Sequence, residues 1–136
     1  MIKRLFLYFI LVICFSCEEQ GILVNCPDCY ENEPLTTDLE IKLDVGLFNT
    51  TRINVYEGNL EDSVLYSSFI GSGSKTTTRV TINKKYTITA EYYISENTYI
   101  TVDSATPKVK YTKDQCDSPC YYVYDKVINL RLKYTK

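Results

Sequence analysis

The amino-acid sequence predicts an all-β fold, a single antiparallel β-sandwich of seven to eight strands, on three observations. Apolar and polar residues alternate over short runs, turn signals recur at roughly 8–12-residue intervals, and no stretch sustains a helical period. A chain of 136 residues is long enough for one domain and too short for two. Five Gly and four Pro are too few for a fibrous or low-complexity protein, whereas six Cys is a high count for this length.

The strands are expected from Asp38 onward. Leu39, Ile41, Leu43, Val45 and Leu47 alternate with polar or small residues, the pattern of a half-buried strand. Phe48-Asn49-Thr50 allows a turn, and Arg52 to Glu57 supplies a second strand. Gly58 to Asp62 reads as a loop, Val64 to Ile70 as a third strand, and Gly71 to Lys75 as a break. Thr76 to Ile82 alternates β-branched residues, Asn83-Lys84-Lys85 turns, and Tyr86 to Ile94 is the strongest strand of the set. Ser95 to Thr98 turns, Tyr99 to Asp103 extends, and Val109 to Thr112 follows Pro107. After the loop KDQCDSPC, a last strand is expected over residues 121–133. Lys126 interrupts its phase, which places a bulge near Asp125.

Upstream of the strands the chain begins MIKRLFLYFILVICFSC. Two cations, Lys3 and Arg4, precede an apolar run that ends at Ser16-Cys17, the layout of a secretory signal whose apolar run is short for a bilayer span. The Ser16-Cys17 junction resembles the loose lipobox of lipoproteins from Bacteroidota-type bacteria, although Cys14 and Phe15 depart from the stricter Leu-Ala-Gly pattern. Glu18 and Glu19 resemble the acidic signal that sends such proteins to the cell surface. The resemblance implies a signal peptide over residues 1–16, lipidation of Cys17, and an outer-membrane lipoprotein exposed at the surface. Its partners would be the membrane, through the lipid anchor, and an envelope protein complex or a glycan. Residues 17–37 then read as an acidic tether carrying a Cys pair, and residues 38–136 as the sandwich.

Several chemistries are argued against by composition. With no His, there is no His general base, no Ser-His-Asp or Cys-His arrangement, and no His-ligated metal. The carboxylate pairs Glu18/Glu19, Glu31/Glu33 and Glu61/Asp62 fall in tether or loops, and no Asp-rich calcium loop is present. Gly71 to Thr77 (GSGSKTT) lacks the glycine spacing and following helix of a phosphate loop. The reading is therefore non-enzymatic, with no cofactor and no resident metal. A nucleic-acid partner is not expected, because the processed chain would carry thirteen basic against seventeen acidic residues. The acids crowd into residues 17–62 and the bases into 63–136, so early and late strands are expected to lie side by side and pair their charges.

Val80 to Tyr86 resembles the tyrosine corner of fibronectin type III and related immunoglobulin-like sandwiches, and equally the Tyr-containing strand of carboxypeptidase regulatory-like domains. The fold alternatives are thus immunoglobulin/fibronectin-III-like or prealbumin-like, with Tyr86 a structural residue whose hydroxyl pins the corner. Asp62-Ser63-Val64 and Asp103-Ser104-Ala105 fit the triplet that receives O-linked glycans in the lipoproteins this chain resembles, which makes Ser63 and Ser104 candidate modification sites. Tyr92-Tyr93 and Tyr121-Tyr122 must each turn one ring outward, where it could stack on a sugar or a protein.

The remaining cysteines, Cys26, Cys29, Cys116 and Cys120, form two close pairs. Disulfides are the expected state in an exported chain. A four-cysteine zinc site and a thioredoxin-like redox pair are the alternatives, the last opposed by the lack of an α/β pattern. Four cysteines allow three connectivities. Bridges between the pairs are favoured over two local clips, because parallel first and last strands would bring both pairs to one edge.

Overall fold

The computed structural model describes residues 24–44 and 51–133, and the chain there is β throughout apart from two short 3-10 turns. Nine strands follow in order: β1 (Thr36–Lys42), β2 (Thr51–Glu57), β3 (Leu65–Gly71), β4 (Lys75–Thr81), β5 (Tyr86–Ile94), β6 (Asn97–Ala105), β7 (Lys108–Thr112), β8 (Cys120–Tyr124) and β9 (Val127–Asn129). The predicted positions of Val45 and Leu47, and the Phe48–Thr50 turn, lie outside the described residues.

The strands form two packed sheets and a ribbon. One sheet has the order β4-β1-β9 and the other β3-β2-β5-β6, while β7 and β8 pair by themselves. β1 runs antiparallel to β4 and parallel to β9, with Ile41 opposite Ile128. First and last strands therefore do lie side by side. In an immunoglobulin sandwich the first two strands share a sheet, but here β1 and β2 sit in opposite sheets. That order differs from the immunoglobulin arrangement.

The alternation in sequence is what fills the interior. Leu39 and Ile41 point inward from β1, with Leu43 directly after it, Ile53 and Val55 from β2, and Tyr86, Ile88, Ala90 and Tyr92 from β5; Ile128 and Leu130 close the core from the far edge. Each is 0% or 1% exposed, and each of the larger aliphatic side chains contributes roughly 1.5–3 kcal/mol by burial. Tyr92 also ties the two sheets together. Its hydroxyl donates to Leu130 O at 2.9 Å and accepts from the Asp44 N–H at 3.3 Å. Burial raises the pKa of this phenol above its ordinary 10.0, partly offset by the Asp44 N–H.

Turns fall near the positions read from the sequence, but the one expected over Ser95 to Thr98 is only two residues long, because Asn97 and Thr98 already pair with Ile94 and Tyr93. β5 and β6 are joined by only Ser95 and Glu96, both with positive φ (45° and 69°), a two-residue turn whose twist matches the strands. Asn83 (φ 64°) turns the chain between β4 and β5, a conformation Asn tolerates better than most residues. Beside it, the Tyr86 hydroxyl accepts the Thr81 N–H at 3.1 Å, and Tyr66 packs edge-on against its ring.

The count of nine strands corrects the expectation of seven to eight. The single last strand expected over 121–133 is two strands, because Asp125 takes a left-handed conformation (φ 54°) and turns the chain between β8 and β9. Its carboxylate accepts the Thr106 N–H at 2.8 Å and holds the kink. β8 thus leaves the sandwich to pair with β7. The polarity split along the chain is used as expected: Asp38 meets Arg79 through two hydrogen bonds of 3.0 and 3.2 Å, Glu40 meets Lys75, and Glu57 meets Lys84 at 2.8 Å.

Candidate functional site

The two cysteine pairs converge at one end of the molecule. Residues Cys26–Asp28 form a 3-10 turn opened by Pro27, closed by Asp28 N–H to Asn25 O (2.8 Å) and Cys29 N–H to Cys26 O (3.2 Å). This turn presents Cys26 and Cys29 on a short arc. On the other side, the loop between β7 and β8 carries Cys116, and Cys120 is the first residue of β8. Tyr30 and Tyr121 exchange two backbone hydrogen bonds of 2.8 Å, an isolated antiparallel bridge that docks the turn onto β8.

Cys26 is disulfide-bonded to Cys116 and Cys29 to Cys120, each with a Cα–Cα distance of 5.6 Å. The bridges span sequence separations of 90 and 91 residues, so they join the pairs to one another rather than clipping each locally. The two bonds lie against each other, with 3.8 Å between Cys29 Sγ and Cys116 Sγ. Cys26 is exposed, Cys29 and Cys116 are half-buried, and Cys120 is buried. The stretch from Val24 to Leu35, expected to belong to the tether, is stitched to the domain by the two disulfides, by the Tyr30–Tyr121 bridge and by the Ile82 N–H bond to Leu35 O, and β1 starts at Thr36 rather than Asp38.

Aromatic rings cluster on the β7–β8 ribbon that carries Cys120. Tyr111 and Tyr121 meet at 4.9 Å and Tyr122 and Tyr124 at 6.3 Å. Between the turn and the β8–β9 kink lies a cleft of about 360 Å³ lined by Asn25, Asp28, Tyr122, Tyr124 and Lys126. A second, larger groove of about 540 Å³ runs along the outer edge of β6, between Tyr99 and Val102 on one side and Arg131 and Leu132 on the other.

The other singled-out residues scatter. Tyr86 is fully buried at the β4–β5 corner. Ser63 is exposed, in a left-handed conformation after the Leu60–Asp62 turn, and Ser104 is exposed on β6. Gly71 to Lys75 links β3 directly to β4, as expected of an inter-strand loop. Cys17, Glu18 and Glu19 lie outside the described residues. Of the outward rings, Tyr93 is 63% exposed and Tyr99 46%. Tyr93, next to the last residue of β5, borders a polar patch on β5, β2 and β3: its hydroxyl is 3.5 Å from Glu91, which accepts from Asn54 at 3.4 Å, and Asn54 accepts from Ser68 at 2.7 Å. Sequence reasoning missed Asp103, whose two carboxylate oxygens take the Ser104 and Asn129 N–H groups and join β6 to β9. Its local pattern marks only the Asp103-Ser104-Ala105 triplet and not this strand-joining role, since the partner strand is remote in sequence.

No family model, no curated protein and no solved structure matches this chain. Among the described residues no helix is long and apolar enough to cross a membrane.

Proposed function

We propose that the chain is a lipid-anchored, non-enzymatic β-sandwich of the bacterial outer membrane, displayed at the cell surface as a binding or structural accessory. The observation that carries this reading is the pair of disulfides, which belong to an oxidising, exported compartment. They begin nine residues after Cys17, so the anchor and the staple would sit at the same end of the chain. With the staple beginning at Cys26, only nine residues separate it from Cys17, so the domain would sit within about 30 Å of the lipid anchor. Several acyl chains on Cys17 would anchor it firmly, because each buried methylene contributes about 0.8 kcal/mol. The lack of any His supports a non-catalytic role.

Fractionation tests the proposal. Cys17→Ser should leave the membrane fraction or accumulate as the unprocessed precursor; a mature-sized Cys17→Ser protein retained in the membrane would refute the anchor. Glu18→Ala with Glu19→Ala should stay anchored yet become protected from protease added to intact cells.

The patch of Tyr93, Glu91, Asn54 and Ser68 favours a glycan as what the accessory binds, since a ring face beside fixed polar groups suits a sugar. A glycan array probed with the protein and with Tyr93→Ala checks this: binding that Tyr93→Ala abolishes supports it, and no response to any glycan removes it.

A further inference from the structure

Disulfides explain why four cysteines come together, but they do not use all that the arrangement offers. Cys29, Cys116 and Cys120 place their sulfurs within 4.8 Å of one another, and Cys26 is bonded into the same cluster. The contact between the two bonds is 3.8 Å. Tetrahedral zinc with Zn–S bonds of about 2.3 Å requires ligand sulfurs about 3.8 Å apart. The ligands come two from a C-x-x-C turn and two from a C-x-x-x-C loop, on separate segments, as a closed structural zinc site needs. All four are sulfur, a soft set that selects zinc over calcium or magnesium.

The backbone would keep this arrangement once the disulfides open. The Tyr30–Tyr121 bridge lies one residue beyond both Cys29 and Cys120, and its two 2.8 Å hydrogen bonds involve no sulfur. The two segments therefore have a second connection beside the cysteines.

We propose that the cluster is a redox-gated zinc site: when both disulfides are reduced, Cys26, Cys29, Cys116 and Cys120 bind one zinc ion as four thiolates, and the metal takes over the cross-link. The chemistry balances. Two equivalents of a phosphine and two of water open the two S–S bonds, giving four thiols and two phosphine oxides. Zn²⁺ then displaces the four thiol protons to solvent, leaving a centre of net charge −2. Two equivalents of a peroxide, with four protons, take the four electrons and leave as four waters while the two S–S bonds re-form and the zinc ion is released, so the domain stays stapled in either state. This goes beyond the anchoring proposal and does not depend on it.

The test uses the full chain carrying Cys14→Ser and Cys17→Ser, which removes the other two thiols and makes the outcome independent of lipidation. The chain is reduced with phosphine under argon, given zinc sulfate, freed of excess metal and analysed for zinc, with the oxidised chain in parallel. One zinc per reduced chain and none per oxidised chain is expected. Zinc should also slow alkylation of the four thiols at least tenfold, and Cys26→Ala with Cys116→Ala should abolish retention. Circular dichroism is followed throughout, so that unfolding is not mistaken for a lack of affinity. If reduction alone melts the strands, zinc must restore them. The proposal is overturned if the folded reduced chain retains no zinc, if zinc fails to restore a melted one, or if the double-alanine chain holds zinc equally well.

Discussion

Removing the bridges one at a time should reveal that they are not independent. In the loop-entropy description, a first bridge across a separation of 90 or 91 residues restricts the unfolded chain by about 4.6 kcal/mol. Once either bridge exists, the other closes only a small ring through residues 26–29 and 116–120. With roughly nine residues in that ring, the same relation gives about 2.6 kcal/mol. The perturbations are Cys26→Ala with Cys116→Ala, and Cys29→Ala with Cys120→Ala. Each pair alone should therefore cost about 2.6 kcal/mol, because the surviving bridge keeps the long loop closed. All four substitutions together should cost about 7 kcal/mol, about 2 kcal/mol more than the two losses added. Guanidinium unfolding without reductant, extrapolated to water, measures these differences, and the slope should rise as the unfolded chain expands. Small, strictly additive losses would refute the reasoning, for that is what two local clips would give. So would a loss near 4.6 kcal/mol from either pair alone.

Other expectations concern the sandwich itself. Tyr92→Phe removes the hydroxyl that joins Asp44 to Leu130 and should cost about 0.5–1.5 kcal/mol in the same assay, the net worth of a hydrogen bond, since Leu130 O keeps the Thr101 hydroxyl and Asp44 is only half-buried. Because burial raises the Tyr92 pKa, its contribution is complete below pH 10 and is lost as pH rises through the folded value; Tyr92→Phe should flatten the alkaline limb of the stability profile. Asp38 is held below its ordinary pKa chiefly by the hydrogen bond from Arg79, so its contribution is present above pH 4 and fades as pH falls. Arg79→Ala should return the Asp38 titration toward its usual range, as followed by carboxyl-carbon NMR. Gly71→Ala would drive a methyl group into Ile53 and Leu43 in the core and should destabilise by about 1–3 kcal/mol.

Much of the fold was legible because period-two alternation reports burial directly. Tyr86–Ile94 is a strand with the bounds its sequence suggests, and Leu39, Ile41 and Leu43 all face inward. Alternation says which face a residue takes but not which strand lies beside it, so sheet order could not be read. The one topological inference available, that the first and last strands run parallel, came from asking how two cysteine pairs could meet. What failed was the last strand, since Lys126 showed a broken phase but not that Asp125 would turn β8 out of the sandwich toward β7. At the candidate site the four cysteines were evident and bridging between the two pairs was favoured, but which cysteine joins which was not legible, since either inter-pair connectivity closes loops of nearly the same length. The docking of Tyr30 on Tyr121 was invisible, being a backbone contact that any residue type could make.

Intact mass of the protein extracted from its native membrane tests the central proposal most directly. The account predicts a chain beginning at Cys17, heavier than residues 17–136 by the mass of its acyl chains and lighter by four hydrogens for the two disulfides. A chain that keeps residues 1–16, or one that begins at Cys17 without added lipid, would contradict it.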